Sequence, residues 1–233
     1  MNDNDSEMLG LLAELSAAAA PSDLAGEVVH AATAARPVGQ PITALGGGVA
    51  ADPRAAFVET AGELAVVLAD ATSAMIVEPY GWNATQLVAH LLEVDLYFGR
   101  QLGLWDHAID ESMEHDHLRM TEAAVRASMR ADLADTIAKW TDVSCAVCEH
   151  VLALDADALA TRIKFHMLDT RTSTALVVRI FEMWTHTEDL CRTLRRQPPV
   201  LDAGRLALMT RAAVRAIPLG LLLGRIEADP QTV

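Results

Sequence analysis

The stretch from Thr174 to Leu190 limits the folds open to this chain more than any other. Its apolar residues Leu176, Ile180, Met183 and Leu190 recur with the helical period. Beside that stripe run Arg179, Glu182, His186 and Asp189. At about 100° per residue these four lie within about 80° of one another around the helix axis. Charge bordering a buried stripe needs partners, because burying it alone is unfavourable. Glu182 and His186 stand one turn apart, a spacing at which two helical side chains can share one cation. An exposed pair of this kind with no role is common, so this segment alone leaves both readings open and favours the plainer one. A metal site requires a third ligand from elsewhere in the chain.

The remainder of the sequence also favours helices. It is 52% hydrophobic, rich in Ala and Leu, and only 4% aromatic, a mixture better suited to helix than to sheet. At 233 residues the chain can bury a full core, as one domain or one domain with an appendage. The net charge of −14 excludes non-specific nucleic-acid binding, which needs a basic footprint, and disfavours docking on an anionic membrane. Three cysteines do not form a disulfide framework, and the odd count suits a reducing compartment. The N-terminal residues are acidic where a secretory signal would be basic. A soluble cytoplasmic protein is therefore expected.

Taken in order, residues 6–35 read as two short helices interrupted by Pro21, with His30 as a surface or packing residue. Pro37, Pro41 and the Gly46–Gly48 run give residues 36–50 the composition of a flexible linker. A boundary is expected there, separating an N-terminal helical extension with its Gly/Pro linker (1–50) from the main domain (51–233).

Asp52 and Pro53 open the next helix as cap and first-turn proline. Phe57, Ala61, Leu64, Val67, Leu68 and Ala71 form its apolar face, out to about Met75. Gly81 and Trp82 form a turn, and Asn83 with Gln86 predicts a capping box for a helix running to about Leu102. Leu87, Val88, Leu91, Val94 and Phe98 point inward there; His90 sits at the stripe's edge, with Glu93 one turn on. The polar stretch from Gly103 to His117, with His107, His115 and His117, reads as a solvated loop. A helical stretch from Leu118 to Ala153, broken near Ala131, carries Val125, Met129, Leu133, Ile137, Trp140 and Val147.

Within it lies Cys145-x-x-Cys148. That spacing invites a redox or zinc reading, but mid-helix cysteines without a second pair more often fill small core positions. Residues 161–167 suggest a short extended segment, and Thr172 or Ser173 caps the helix already described. That helix ends near Arg195 and Arg196, whose charge, with that of Arg192, suits the negative end of the dipole. A last helix starts at Asp202 with Leu206, Met209, Ala213 and Ile217. Long amphipathic helices with short links predict an all-α four-helix bundle plus extras.

Two segments together resemble the DinB-like superfamily, in its mycothiol-dependent maleylpyruvate isomerase N-terminal-domain branch. Trp82-Asn-Ala-Thr-Gln-Leu-Val-Ala-His90-Leu is similar to that branch's second-helix motif, and Arg179-Ile-Phe-Glu182-Met-Trp-Thr-His186-Thr-Glu-Asp189-Leu190 to its later one. The likeness covers roughly residues 52–217 and implies a DinB-like bundle with an added N-terminal segment. It further implies that His90, Glu182 and His186 hold zinc or another divalent metal. Asp189 would accept a hydrogen bond from a ligand imidazole or pair with Arg179; a plain ionic contact between the two is the other reading. Characterised relatives use mycothiol to isomerise maleylpyruvate or to transfer the thiol. A metal-dependent transferase or isomerase-like enzyme, with a small thiol and a small electrophile as partners, is thus expected. The C-terminal α/β domain of the full isomerase is expected to be absent. A homodimer remains open, as does a non-catalytic alternative: a regulatory module that engages a protein partner through residues 1–50.

Overall fold

The computed structural model describes residues 50–78, 80–105, 117–165 and 168–214, and residues 48–212 form one compact unit. The expected N-terminal helices over 6–35, the 36–50 linker apart from its last residue, the histidine-bearing loop over 106–116 and the end of the last helix at Ile217 lie outside the described residues.

Helix α1 spans Pro53–Leu68. Asp52 caps it by accepting from the Arg54 amide at 2.9 Å, and Pro53 needs no intrahelical partner at the first position. Phe57, Ala61, Leu64, Val67 and Leu68 are buried as the periodicity predicts. The helix stops seven residues before Met75, since Asp70, Thr72 and Ser73 favour turns over helix interior. Ala71 consequently leaves the helical face, and the chain enters a two-residue strand, β1 (Ile76–Val77), paired antiparallel with β2 (Trp82–Asn83). Gly81 turns this hairpin at φ 67°, a conformation that side-chain-bearing residues rarely adopt.

Asn83 then starts α2 (Ala84–Gln101) with a complete capping box. Its side chain accepts from the Gln86 amide at 2.8 Å, and the Gln86 side chain accepts from the Asn83 amide at 3.0 Å. Leu87, Val88, Leu91, Val94 and Phe98 are fully buried. Gly99 lies so close beneath Trp105 that any side chain would strike the indole ring.

Helix α3 (His117–Ala127) runs into a 3-10 turn at Ser128–Arg130, and α4 (Leu133–Ala153) follows, capped by Asp132. The expected break at Ala131 is present as an extended residue. Val125, Trp140 and Val147 are buried and Leu133 and Ile137 half-buried, but Met129 is exposed. Its position in the tighter 3-10 turn rotates it off the α-helical stripe.

After the short helix α5 (Ala156–Ala160), β3 (Arg162–Phe165) and β4 (Leu168–Arg171) form an antiparallel hairpin that leads into α6 (Thr172–Leu194). Neither Thr172 nor Ser173 caps α6. Arg171 holds the cap position without a side-chain bond, and the Thr172 hydroxyl donates to the Thr161 carbonyl at 3.1 Å, anchoring the hairpin instead. Leu176, Ile180, Met183 and Leu190 are all buried, and Arg195 ends the helix in the left-handed conformation. A last helix begins at residue 203, capped by Asp202. Met209 is buried there but Leu206 is exposed. The helix is held to α1 by Arg205, which donates to both Glu63 oxygens at 2.7 and 2.8 Å, rather than by a full apolar face.

The four long helices form the bundle: α1 lies along α6 and α4, and α4 lies along α2. Their interior is filled by Phe57, Leu64, Leu91, Phe98, Trp140, Leu176 and Ile180. Where α2 faces α6, polar side chains replace this packing. Among the described residues no helix is long and apolar enough to cross a membrane.

Candidate metal centre

His90 is on α2 and is buried, although it borders the apolar stripe of Leu87, Leu91 and Val94. Glu182 and His186 project from successive turns of α6 toward it. One ligand atom from each of the three lies within 4.8 Å of the others. His90 Nε2 stands 3.3 Å from Glu182 Oε1. Two ligands each about 2.1 Å from a tetrahedral zinc would lie about 3.4 Å apart, so this pair is already at a coordinating separation. The donors, two imidazoles and a carboxylate, are a set that zinc accepts, and one position would be left for an external ligand. The His90 and His186 Nδ1 atoms are buried without a hydrogen-bond partner. Burial, followed by the neighbouring His90, pushes the His186 imidazole down to about 3, so it is neutral and able to donate a lone pair near neutral pH.

Behind the ligands sits a buried charge cluster. Arg179 is fully buried and donates from Nε to Asp95 Oδ1 at 2.9 Å, with its NH2 2.8 Å from the same oxygen. Its NH1 lies 3.1 Å from Glu182 Oε2. Asp95, on α2, also accepts from Trp140 Nε1 at 2.9 Å. Burial pushes the Asp95 carboxyl up, while Arg179 and the indole N–H pull it back. Arg179 Nε and Trp140 Nε1 both donate to Asp95, so the carboxylate is the form these contacts satisfy. Burial opposes the charge on Arg179, but Asp95 and Glu182 outweigh it and hold the guanidinium above its usual range.

Asp189, for which pairing with Arg179 is one of two readings of the sequence, does not pair with it. Asp189 instead accepts from Arg192 at 2.9 Å, and its Oδ2 is buried without a hydrogen-bond partner. Sequence reasoning missed Asp95, although an acid at helical spacing from Leu91 and Phe98 on an apolar stripe is itself a signal for a buried counter-charge. It also missed the aromatic wall. Tyr80 and Trp82 stack at 5.0 Å between ring centroids; Tyr80 lies 5.5 Å from His186 and Trp82 5.3 Å from His90. The two histidine rings meet edge to face at 5.2 Å. Burial, then the Asp189 carboxylate, pushes the Tyr80 hydroxyl up to about 12, so it keeps its proton. Glu93 is half-buried, its carboxyl pushed up by desolvation, and is not one of the converging ligand atoms.

The Cys-x-x-Cys pair lies on α4 and is not among the converging ligand atoms, although Asp95 and Arg179 act on the Cys148 thiol. The packing role expected for both holds in part: Cys148 is half-buried, but Cys145 is exposed. Both thiols are free, and burial pushes Cys148 up to about 12. At pH 8 such a thiol is ionised in about one molecule in ten thousand. Iodoacetamide is therefore expected to label Cys145 well before Cys148 or the buried Cys191, as read by peptide mass mapping. Equal labelling of Cys145 and Cys148 would contradict the burial described for α4.

No family model matches the chain, and no curated protein matches it in sequence. Among solved structures it is similar to a histidine-to-alanine mutant of the mycothiol-dependent maleylpyruvate isomerase, with a TM-score of 0.51 and 10% identity over 69% of this chain and 65% of that one. A second crystal structure of the mycothiol-dependent maleylpyruvate isomerase aligns at a TM-score of 0.48 and 12% identity over 59% of each chain. Both alignments span less than two thirds of the isomerase chains. The chain therefore has an all-α helical-bundle fold similar to that of the mycothiol-dependent maleylpyruvate isomerase.

Proposed function

We propose that this chain is a divalent-metal-dependent enzyme that activates a small thiol toward a small electrophile, with zinc held by His90, Glu182 and His186 and mycothiol as the thiol. The observation that carries this reading is the convergence of three ligand atoms, from His90 on α2 and Glu182 and His186 on α6, within 4.8 Å, with both histidines buried. The shared fold with an enzyme described as mycothiol-dependent supports the choice of thiol.

Zinc bound there would supply Lewis acidity that lowers the pKa of a thiol or water in its open position. The chain's own residues do the rest. His90 and His186 offer nitrogen lone pairs, and the burial that keeps His186 neutral also keeps bulk water from competing. Arg179 fixes one Glu182 oxygen and leaves the other facing His90. Tyr80 and Trp82 wall one side with ring faces, against which the apolar part of an electrophile can lie. The Tyr80 hydroxyl, protonated throughout the working range, can donate to a developing negative charge on substrate.

The test is a rate. Purified chain reconstituted with zinc is expected to isomerise maleylpyruvate in the presence of mycothiol, or to consume mycothiol with a small electrophile. His90→Ala should lower that rate at least about a hundredfold. A zinc-loaded parent no faster than His90→Ala across such electrophiles would sink the proposal.

A further inference from the structure

We infer that Asp95 is a positioning residue for this metal centre: by holding the Arg179 guanidinium it leaves Glu182 its full negative charge and keeps Oε1 turned toward the ion. The inference deepens the metal-binding reading above and rests on it.

Arg179 serves two carboxylates from one buried position. Nε and NH2 engage Asp95 Oδ1 at 2.9 and 2.8 Å, whereas only NH1 approaches Glu182 Oε2, at 3.1 Å. One guanidinium between two carboxylates leaves a single negative charge in the cluster. The closer and doubly made contact is to Asp95, so that charge resides on Glu182. The Trp140 indole, donating to Asp95 Oδ2 at 2.9 Å, fixes the carboxylate plane and so fixes where Arg179 can sit. Arg179 thus engages Glu182 at Oε2, and Oε1 lies 3.3 Å from His90 Nε2.

If Asp95 carried no charge, Glu182 would become the nearest counter-charge of a buried cation. Its attraction to Arg179 would compete with its attraction to a metal ion, and the donor set would approach neutrality. Groups that orient ligands from outside the coordination sphere typically change metal affinity 10–100-fold, and about that loss is expected here. The residue lies on α2, the helix of His90, while Arg179 lies on α6, the helix of Glu182 and His186. The same pair therefore also sets the spacing of the two ligand-bearing helices.

Zinc affinity of the full-length chain, measured by competition with a chromogenic chelator, distinguishes charge insulation from a merely structural role. Asp95→Asn keeps the shape and an acceptor for Trp140, and should weaken zinc binding about 10–100-fold with helix content unchanged by circular dichroism. Adding Arg179→Gln to Asp95→Asn removes the released cation as well, and should restore zinc affinity to within about threefold of the parent; a pair that only braced the helices would lose more. A folded Asp95→Asn chain with parental affinity overturns the inference alone, as does a double variant weaker than the single one. Should Asp95→Asn not fold, the double variant decides by itself: near-parental affinity supports the inference and a tenfold loss overturns it. A parent chain that takes up no zinc overturns the metal-binding reading together with this one.

Discussion

Arg179→Met is expected to lower the unfolding free energy by about 3–5 kcal/mol, the range found when one partner of a buried ion pair is removed. Methionine fills much of the same volume, so loss of packing accounts for little of this. The loss comes from Asp95, fully buried and left with Trp140 Nε1 as its main donor once Nε and NH2 of Arg179 are gone. For a domain of this size the melting temperature should fall by roughly 6–20 °C. Arg192 supplies the control. It too pairs with an acid at 2.9 Å, but its side chain is 65% exposed, so water already screens the contact. Arg192→Ala should change stability by no more than about 1 kcal/mol. Thermal unfolding of the two variants beside the parent checks both statements, and equal shifts would mean that Arg179 is not in the desolvated setting described here.

The contrast between these arginines also explains what could be read from the sequence. Apolar periodicity exposed the faces of α1, α2 and α6, because a helix repeats its buried positions within a few residues and every repeat is local. Asp52 and Asn83 were legible as caps for the same reason: each bonds an amide two or three residues away. The β1–β2 hairpin left no trace. Two-residue strands have no period to detect, so the turn at Gly81 could be read but not the wall of Tyr80 and Trp82 that it builds. Arg179 was recognisable as a charge that must find a partner, but the only partner offered for it was Asp189, as one of two open readings. Asp189 is near it in sequence, whereas Asp95 is 84 residues away on another helix. The proximity of His90 to Glu182 is equally non-local. From the residues alone the α6 pair stayed ambiguous, and only the resemblance of two separated segments suggested that α2 supplies a third donor. Met129 and Leu206 failed for the opposite reason: each obeys a helical stripe, but the 3-10 turn rotates the first outward, and an ion pair rather than an apolar face seats the helix bearing the second.

Zinc itself should act as a folding ligand, and the argument for its size is thermodynamic. An ion that binds only the folded chain stabilises it by about 2.7 kcal/mol when its free concentration is a hundred times the dissociation constant. For a domain of this size that raises the melting temperature by about 5–10 °C. The unfolded chain cannot reproduce the effect, because His90 lies more than ninety residues before Glu182 and His186 and the three meet only when α2 faces α6. His90→Ala and Glu182→Gln should each abolish most of the shift at the same zinc concentration. His150 is half-buried on α4, its Nε2 3.2 Å from the Leu102 carbonyl, and stands outside the converging group. His150→Ala should therefore leave the zinc-dependent shift intact, even if it lowers the baseline melting temperature. A chain whose melting is indifferent to zinc, or one in which His150→Ala is as damaging to the shift as His90→Ala, would mean that the three side chains meet for electrostatic reasons and hold no ion. The first result would also agree with the edge-to-face packing of the two histidine rings, since rings 5.2 Å apart need no metal to attract each other. What favours the ion is the arrangement of all three donors: a glutamate pinned from behind by a buried arginine turns Oε1 toward His90, and His186 brings a third ligand atom within 4.8 Å of both.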